Sequence, residues 1–196
     1  MTARLICLLL LSILTGPLTA SAPASDDCAD GFRHINDDGY REEHYMARTP
    51  DCVPGGTRLD TTALQALLAE DPSPVLIDVM AAQDHILPDL ERGWIPGDER
   101  QHLPGSIWLP NVGLGWIDDE IQRWFAERLR RHSGGERDYP LVFYCLQDCW
   151  MAWNAVRRAS RLGYTNLYWY ADGIDVWIEK ELPTVTAEPE PLRTRD

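Results

Sequence analysis

Short unbroken apolar runs alternate along this chain with stretches of helical hydrophobic period, a pattern that predicts strands separated by helices. The clearest run is Leu141–Tyr144, apolar and aromatic throughout, which reads as a strand buried on both faces. Cys145 closes it. From about Cys149 the period changes: Trp150, Trp153, Val156 and Ser160 fall near one face, and Arg157, Arg158 and Arg161 lie largely on another. Gly163 supplies the stop. A cysteine is thus expected at the carboxyl end of a core strand, on a tight turn that opens a helix. Ligands and chemistry collect at that place in open α/β sheets. The helix start adds unpaired N–H groups and a positive dipole end, both favourable to a thiolate or a bound anion.

The same reading extends both ways. Thr57–Leu59 is a short strand after the Gly55-Gly56 turn, and Asp60 or Thr61 caps a helix with Ala63, Leu64, Leu67 and Leu68 on its apolar face. Pro72-Ser73-Pro74 ends it, and Val75–Val79 is a second buried strand carrying Asp78 near its carboxyl end. A long loop over residues 80–105 leads to a short strand at Ser106–Leu109. Residues 118–131 form an amphipathic helix on Ile121, Trp124, Phe125 and Leu129. Asn166–Tyr170 is the last strand, and Ala171-Asp172-Gly173 turns into a closing helix around Trp177. Five strands alternating with helices imply an α/β domain over residues 57–183, built on a mainly parallel sheet covered on both faces, with Leu141–Cys145 central.

Outside that domain the pattern weakens. Residues 23–56 are rich in Asp, Gly, Pro and His and read as an irregular extension laid over the domain. Residues 184–196 read as a disordered tail. Residues 1–22 read as a secretory signal: Arg4 is the sole charge, residues 5–14 are apolar, Gly16-Pro17 breaks the run, and Ala20-Ser21-Ala22 fits a cleavage site. The expectation is export to the periplasm, with no membrane attachment once the signal is cleaved.

Charge and cysteine count sharpen the picture. Removing those 22 of 196 residues leaves 174; the signal takes one of 18 basic residues and none of 31 acidic ones, so the mature chain carries −14. Such a balance disfavours nucleic acid and anionic lipid as partners. Cys7 leaves with the signal, and Cys28, Cys52, Cys145 and Cys149 remain. Four cysteines admit three pairings. The expectation is a structural Cys28–Cys52 bridge, because it would tie down an arm with little core of its own; two free thiols are the alternative. His34, His44, His85, His102 and His132 show no ligand spacing on one helix face, and CxxxC without a nearby His is poor zinc chemistry, so no metal is expected.

Taken together, the motifs resemble a rhodanese domain over about residues 57–183: Leu76-Ile77-Asp78-Val79, His102-Leu103-Pro104-Gly105-Ser106-Ile107, strand–cysteine–turn–helix, Leu162-Gly163-Tyr164-Thr165-Asn166, and Gly173-Ile174 with Trp177. A closer resemblance is to the exported PQQ-dependent catabolism-associated CXXCW motif proteins. It rests on Trp108-Leu109-Pro110 with Gly113 and Gly115, and on Tyr144-Cys145, Asp148-Cys149-Trp150-Met151 and Trp153-Asn154-Ala155. Three residues (Leu146, Gln147, Asp148) separate the cysteines here, against two in the family pattern.

The rhodanese resemblance implies a persulfide carrier. Cys145 takes a sulfane sulfur and passes it on, with Leu146, Gln147, Asp148 and Trp150 of the loop, and Asp78 beside it, contacting the substrate. The loop would curl its N–H groups around the sulfur. Sulfurtransferase loops carry a glycine and a basic residue where Asp148 and Trp150 stand, and Met80 follows Asp78-Val79 where a basic residue is usual. Weak reactivity with free thiosulfate follows, as does exclusion of a phosphatase-type loop, which needs an Arg. The closer resemblance implies an indirect association with pyrroloquinoline-quinone enzymes, with a periplasmic PQQ dehydrogenase or its cytochrome as partner. Two alternatives stand beside this. Cys145 and Cys149 could exchange disulfides with a thiol partner, Cys149 also serving to resolve a persulfide; or the chain is a non-catalytic binding module using Trp94, Trp108, Trp116, Trp150 and Trp153 as anchors or as a platform for a quinone.

Overall fold

The computed structural model describes residues 26–85, 92–95 and 99–192. The expected signal at 1–22 and residues 193–196 lie outside them. In chain order the strands are β1 (Thr57–Leu59), β2 (Val75–Asp78), β3 (Asp84–His85), β4 (Gly93–Trp94), β5 (Gln101–His102), β6 (Ile107–Trp108), β7 (Leu141–Tyr144), β8 (Leu167–Tyr170) and β9 (Val185–Thr186). The helices are α1 (Thr61–Leu67), α2 (Asp119–His132), α3 (Trp150–Arg161) and α4 (Gly173–Glu179).

The main sheet has five strands in the order β1-β8-β7-β2-β6, every pair parallel, so β7 is central as its unbroken apolar run predicts. Alternate residues of β7 serve two cores. Leu141, Phe143 and Cys145 point into the larger one with α2, α3 and the arm; Val142 and Tyr144 point into the smaller one with α1 and α4. Local chemistry starts the helices. Asp60 accepts from Ala63 N at 2.8 Å to cap α1, and Asp118 accepts from Glu120 N and Ile121 N at 3.0 Å to cap α2. Among the described residues no helix is long and apolar enough to cross a membrane.

The arm is ordered and bonded to the core. Cys28 and Cys52 are joined with their α-carbons 5.5 Å apart, closing 24 residues of chain; by chain entropy such a link contributes about 3 kcal/mol. Phe32 packs edge-on against Trp150, and Trp153 Nε1 donates to the Cys52 carbonyl at 2.9 Å.

The tail corrects the sequence reading. Residues 184–192 are not disordered: β9 pairs antiparallel with β5, Glu190 N donates to the Trp108 carbonyl, and Leu192 is buried. The Pro- and Glu-rich composition hid the reason. Glu190 is held by Arg128 (3.1 Å) and His132 (2.6 Å) of α2, and the carbonyls of Glu190 and Pro191 accept from the indoles of Trp94 and Trp124. The loop over 80–105 likewise contains order, since β3 pairs with β4 and β5 with the tail.

Candidate functional site

Cys145 follows β7 directly, and Cys149 occupies the residue before α3 in extended conformation. Cys149 is therefore the helix N-cap rather than part of its first turn. The two sulfurs are bonded to each other, with α-carbons 6.1 Å apart. Both residues are enclosed, at 0% and 2% exposure. Met80 brings its sulfur to 3.6 Å from that of Cys145, a soft apolar group at the position where the rhodanese resemblance implies a basic residue.

The intervening loop does not form a free ring of N–H groups around the sulfur, contrary to the expectation. Gln147 N donates to Asp175 Oδ1 at 2.8 Å, Cys149 N to the Leu146 carbonyl at 3.3 Å, and Trp150 N to the Tyr45 carbonyl at 2.9 Å. Two outside elements hold the first and last of these donors. One is α4, whose Ile174 N also donates to the Cys145 carbonyl at 2.9 Å. Gly173 stands there with φ of +70°, because a Cβ would overlap the backbone of Leu146 and Gln147. The other is a strap of arm residues 45–49. Met46 forms a β-bridge with Cys149, and Ala47 N donates to the Asp148 carbonyl at 3.0 Å. The α3 N-terminus, lacking a side-chain cap, is capped by this strap.

The expected substrate contacts are dispersed. Leu146 is half-buried between the two cores, and Gln147 is exposed. Asp148 takes a left-handed conformation with φ of 53°, and its carboxylate faces the N–H and hydroxyl of Thr49 at 3.3 and 3.4 Å. Trp150 is wholly buried, packed on Phe32 and Trp153 with the Arg41 guanidinium 5.1 Å above it, so it serves the core and offers no open platform. Asp78 is also wholly buried. Its carboxylate accepts from Met80 N at 2.8 Å and from Arg100 at 3.2 Å, and His102 Nδ1 lies 2.9 Å away. Asp78 thus organises the chain behind Met80 and does not face the loop. Of the tryptophans proposed as anchors, Trp116 alone is well exposed, at 77%; Trp108 donates to the Met80 carbonyl at 2.8 Å and Trp94 packs on Trp124.

Several residues that hold the site were not legible as such. Arg41 and Asn154 exchange hydrogen bonds beneath the strap, and Arg158 of α3 donates to the carbonyls of Val112 and Leu114, its pKa lowered by burial. Tyr45 donates no usable sequence signal beyond being an aromatic in a polar arm; its hydroxyl accepts from Gly115 N at 2.9 Å, and burial raises its pKa. Two histidines and a glutamate of the arm, His34, His44 and Glu43, also gather within 4.8 Å, a grouping that helix-face spacing does not detect. Chemically, the centre is a covered disulfide beside a thioether. For an incoming thiolate to open it, the segments that enclose the two sulfurs must move.

The rhodanese-like domain family model matches residues 60–180. No curated protein matches the chain. Among solved structures, the polysulfide-sulfur transferase homodimer of Wolinella succinogenes is similar at 21% identity, over 67% of this chain and 79% of that one, with a TM-score of 0.41. The human single-domain sulfurtransferase TSTD1 is similar at 20% identity over 64% and 97%, with a TM-score of 0.42. EanB, in its complex with hercynine, is similar at 18% identity over 73% of this chain and only 34% of its own, with a TM-score of 0.48. By the family match over most of its length and by its parallel five-stranded sheet, this chain belongs to the rhodanese-like domain family.

Proposed function

We propose that this protein is an exported sulfur carrier in which Cys145 accepts a sulfane sulfur and Cys149 resolves it. The observation that carries the reading is the bond between Cys145, at the end of the central strand, and Cys149, at the helix start. In the resolving step the Cys149 thiolate attacks Cys145 Sγ of the persulfide. The new Cys145–Cys149 bond forms, the bond to the outer sulfur breaks, and that sulfur leaves with its electron pair as hydrosulfide. A partner dithiol then reduces the disulfide and is itself oxidised, returning both thiols. Export through residues 1–22 to the periplasm is supported by two disulfides in one small chain, a feature of oxidising compartments. The partner in this reading is a periplasmic PQQ dehydrogenase or its cytochrome, as the residues around Trp108 and the two cysteines suggest.

Reduced protein treated with polysulfide tests this. The wild type should release one hydrosulfide per turnover and regain the internal disulfide. Cys149→Ser should retain one added sulfur on Cys145 by intact mass, and Cys145→Ser should take up none. Uptake by Cys145→Ser would reverse the roles. A second reading, thiol–disulfide exchange without sulfur carriage, is favoured by the occupied N–H groups of Gln147, Cys149 and Trp150. It predicts disulfide transfer to a dithiol peptide with no sulfur uptake by any form.

A further inference from the structure

We infer that His34, Glu43 and His44 form a binding site for one divalent transition-metal ion of nitrogen-preferring kind, Zn²⁺ or Cu²⁺. The donor set is two imidazoles and one carboxylate, the composition of three-ligand zinc sites that keep a fourth position for water. Their ligand atoms all lie within 4.8 Å of one another. His34 Nδ1 and Glu43 Oε2 are 3.2 Å apart, close to the edge of about 3.3 Å that a tetrahedron with bonds of about 2.0–2.1 Å requires. The two imidazoles meet edge to face with centroids 4.8 Å apart, and the exposed His44 ring is the one that must turn to close the triangle on one ion. Glu43 and His44 are exposed, which leaves an open side for the ion and its water.

The frame that presents these groups is fixed from the core. Ile35 and Arg41 form a β-bridge, and Glu42 N donates to the His34 carbonyl at 3.0 Å. The buried Arg41 guanidinium donates to the carbonyls of Arg33 and His44, so one core-anchored side chain grips the backbone on both sides of the cluster. Arg41 itself is pinned by Asn154 and lies over Trp150. Both histidines hold left-handed backbone, with φ of 58° and 50°. Such backbone is uncommon for residues with side chains, although His adopts it more readily than most, and it recurs where a ligand is clamped. The supporting shell is what a preformed metal site needs. The acidity of the chain adds a general attraction for cations.

Equilibrium dialysis of the mature protein, disulfides intact, against Zn²⁺ should give one tightly held ion per chain, with no comparable uptake of Mg²⁺. His34→Gln and His44→Gln should each weaken binding about a hundredfold, and Glu43→Gln by about tenfold. Electron paramagnetic resonance of the Cu²⁺ form should show two coupled imidazole nitrogens in the wild type and one in either histidine variant. If His34→Gln loosens the arm, as faster amide exchange of residues 45–49 would reveal, the exposed His44→Gln and its spectrum decide. Failure to retain Zn²⁺, or an unchanged affinity and nitrogen count in His44→Gln, would overturn the assignment. Neither result depends on what Cys145 carries.

Discussion

Asn154 of α3 and Arg41 of the arm satisfy each other's polar groups reciprocally: Asn154 Oδ1 accepts from Arg41 N at 2.9 Å, and Asn154 Nδ2 donates to the Arg41 carbonyl at 2.7 Å and to the Gly113 carbonyl at 2.8 Å. The amide is completely buried, so Asn154→Leu leaves one donor and two acceptors without partners. Each such loss costs about 1–3 kcal/mol where water cannot enter. Urea unfolding should show Asn154→Leu less stable by about 3 kcal/mol, with the strap residues 45–49 gaining amide exchange first.

Gly173 tests the support beneath the cysteine loop. Alanine there meets the backbone of Leu146 and Gln147 and must also accept a φ of +70°. Gly173→Ala should lose about 2 kcal/mol of stability. Because the clash falls on the loop, dithiothreitol should also reduce the Cys145–Cys149 bond faster in the variant than in the wild type, as followed by alkylation and mass.

Rebuilding an anion-binding loop by Trp150→Arg, attractive from the family pattern, should fail. Trp150 is wholly buried against Phe32, Trp153 and Arg41, and the new guanidinium would face the Arg41 charge in a space shaped for an indole. The expected loss exceeds about 3 kcal/mol, and the variant should not accumulate in soluble form. Gln147→Arg places a cation on an exposed loop position instead. One charge-assisted hydrogen bond there should raise thiosulfate turnover by about tenfold in a steady-state assay.

Glu190 makes the tail sensitive to acid. Burial pushes its pKa up, but the hydrogen bond from His132 and the charges of His132 and Arg128 outweigh that and hold it below the ordinary 4.5. The unfolded chain therefore binds this proton more readily. The contribution to stability is full above about pH 4.5 and is lost as pH falls through the lower folded value. Denaturation from about pH 6 to about pH 3 should show the wild type losing its advantage over Glu190→Gln across that window, with β9 released from β5.

What the sequence determined by itself is what the backbone period and nearest neighbours decide. The apolar run Leu141–Tyr144 reads as a doubly covered strand, the faces of α1 and α2 follow from residues three and four apart, and Asp60 or Thr61 stands where α1 needs a cap, Asp60 being the one that bonds. The strand–cysteine–helix junction is local too, so Cys145 and Cys149 could be singled out before any fold was known. The tertiary structure decided everything that joins distant residues. Tyr45 reaches Trp150, Thr49 turns Asp148 away, Asp175 takes the Gln147 N–H, Arg100 and His102 close on Asp78, and Glu190 finds Arg128. None of these has a repeating spacing for a local pattern to expose. Each depends on which strands are neighbours and in what register, and that is set by burial summed over the whole core rather than by any one segment. For the same reason His34 and His44 meet: a β-bridge at Ile35 and Arg41 folds the arm back on itself, and one buried guanidinium fixes both ends.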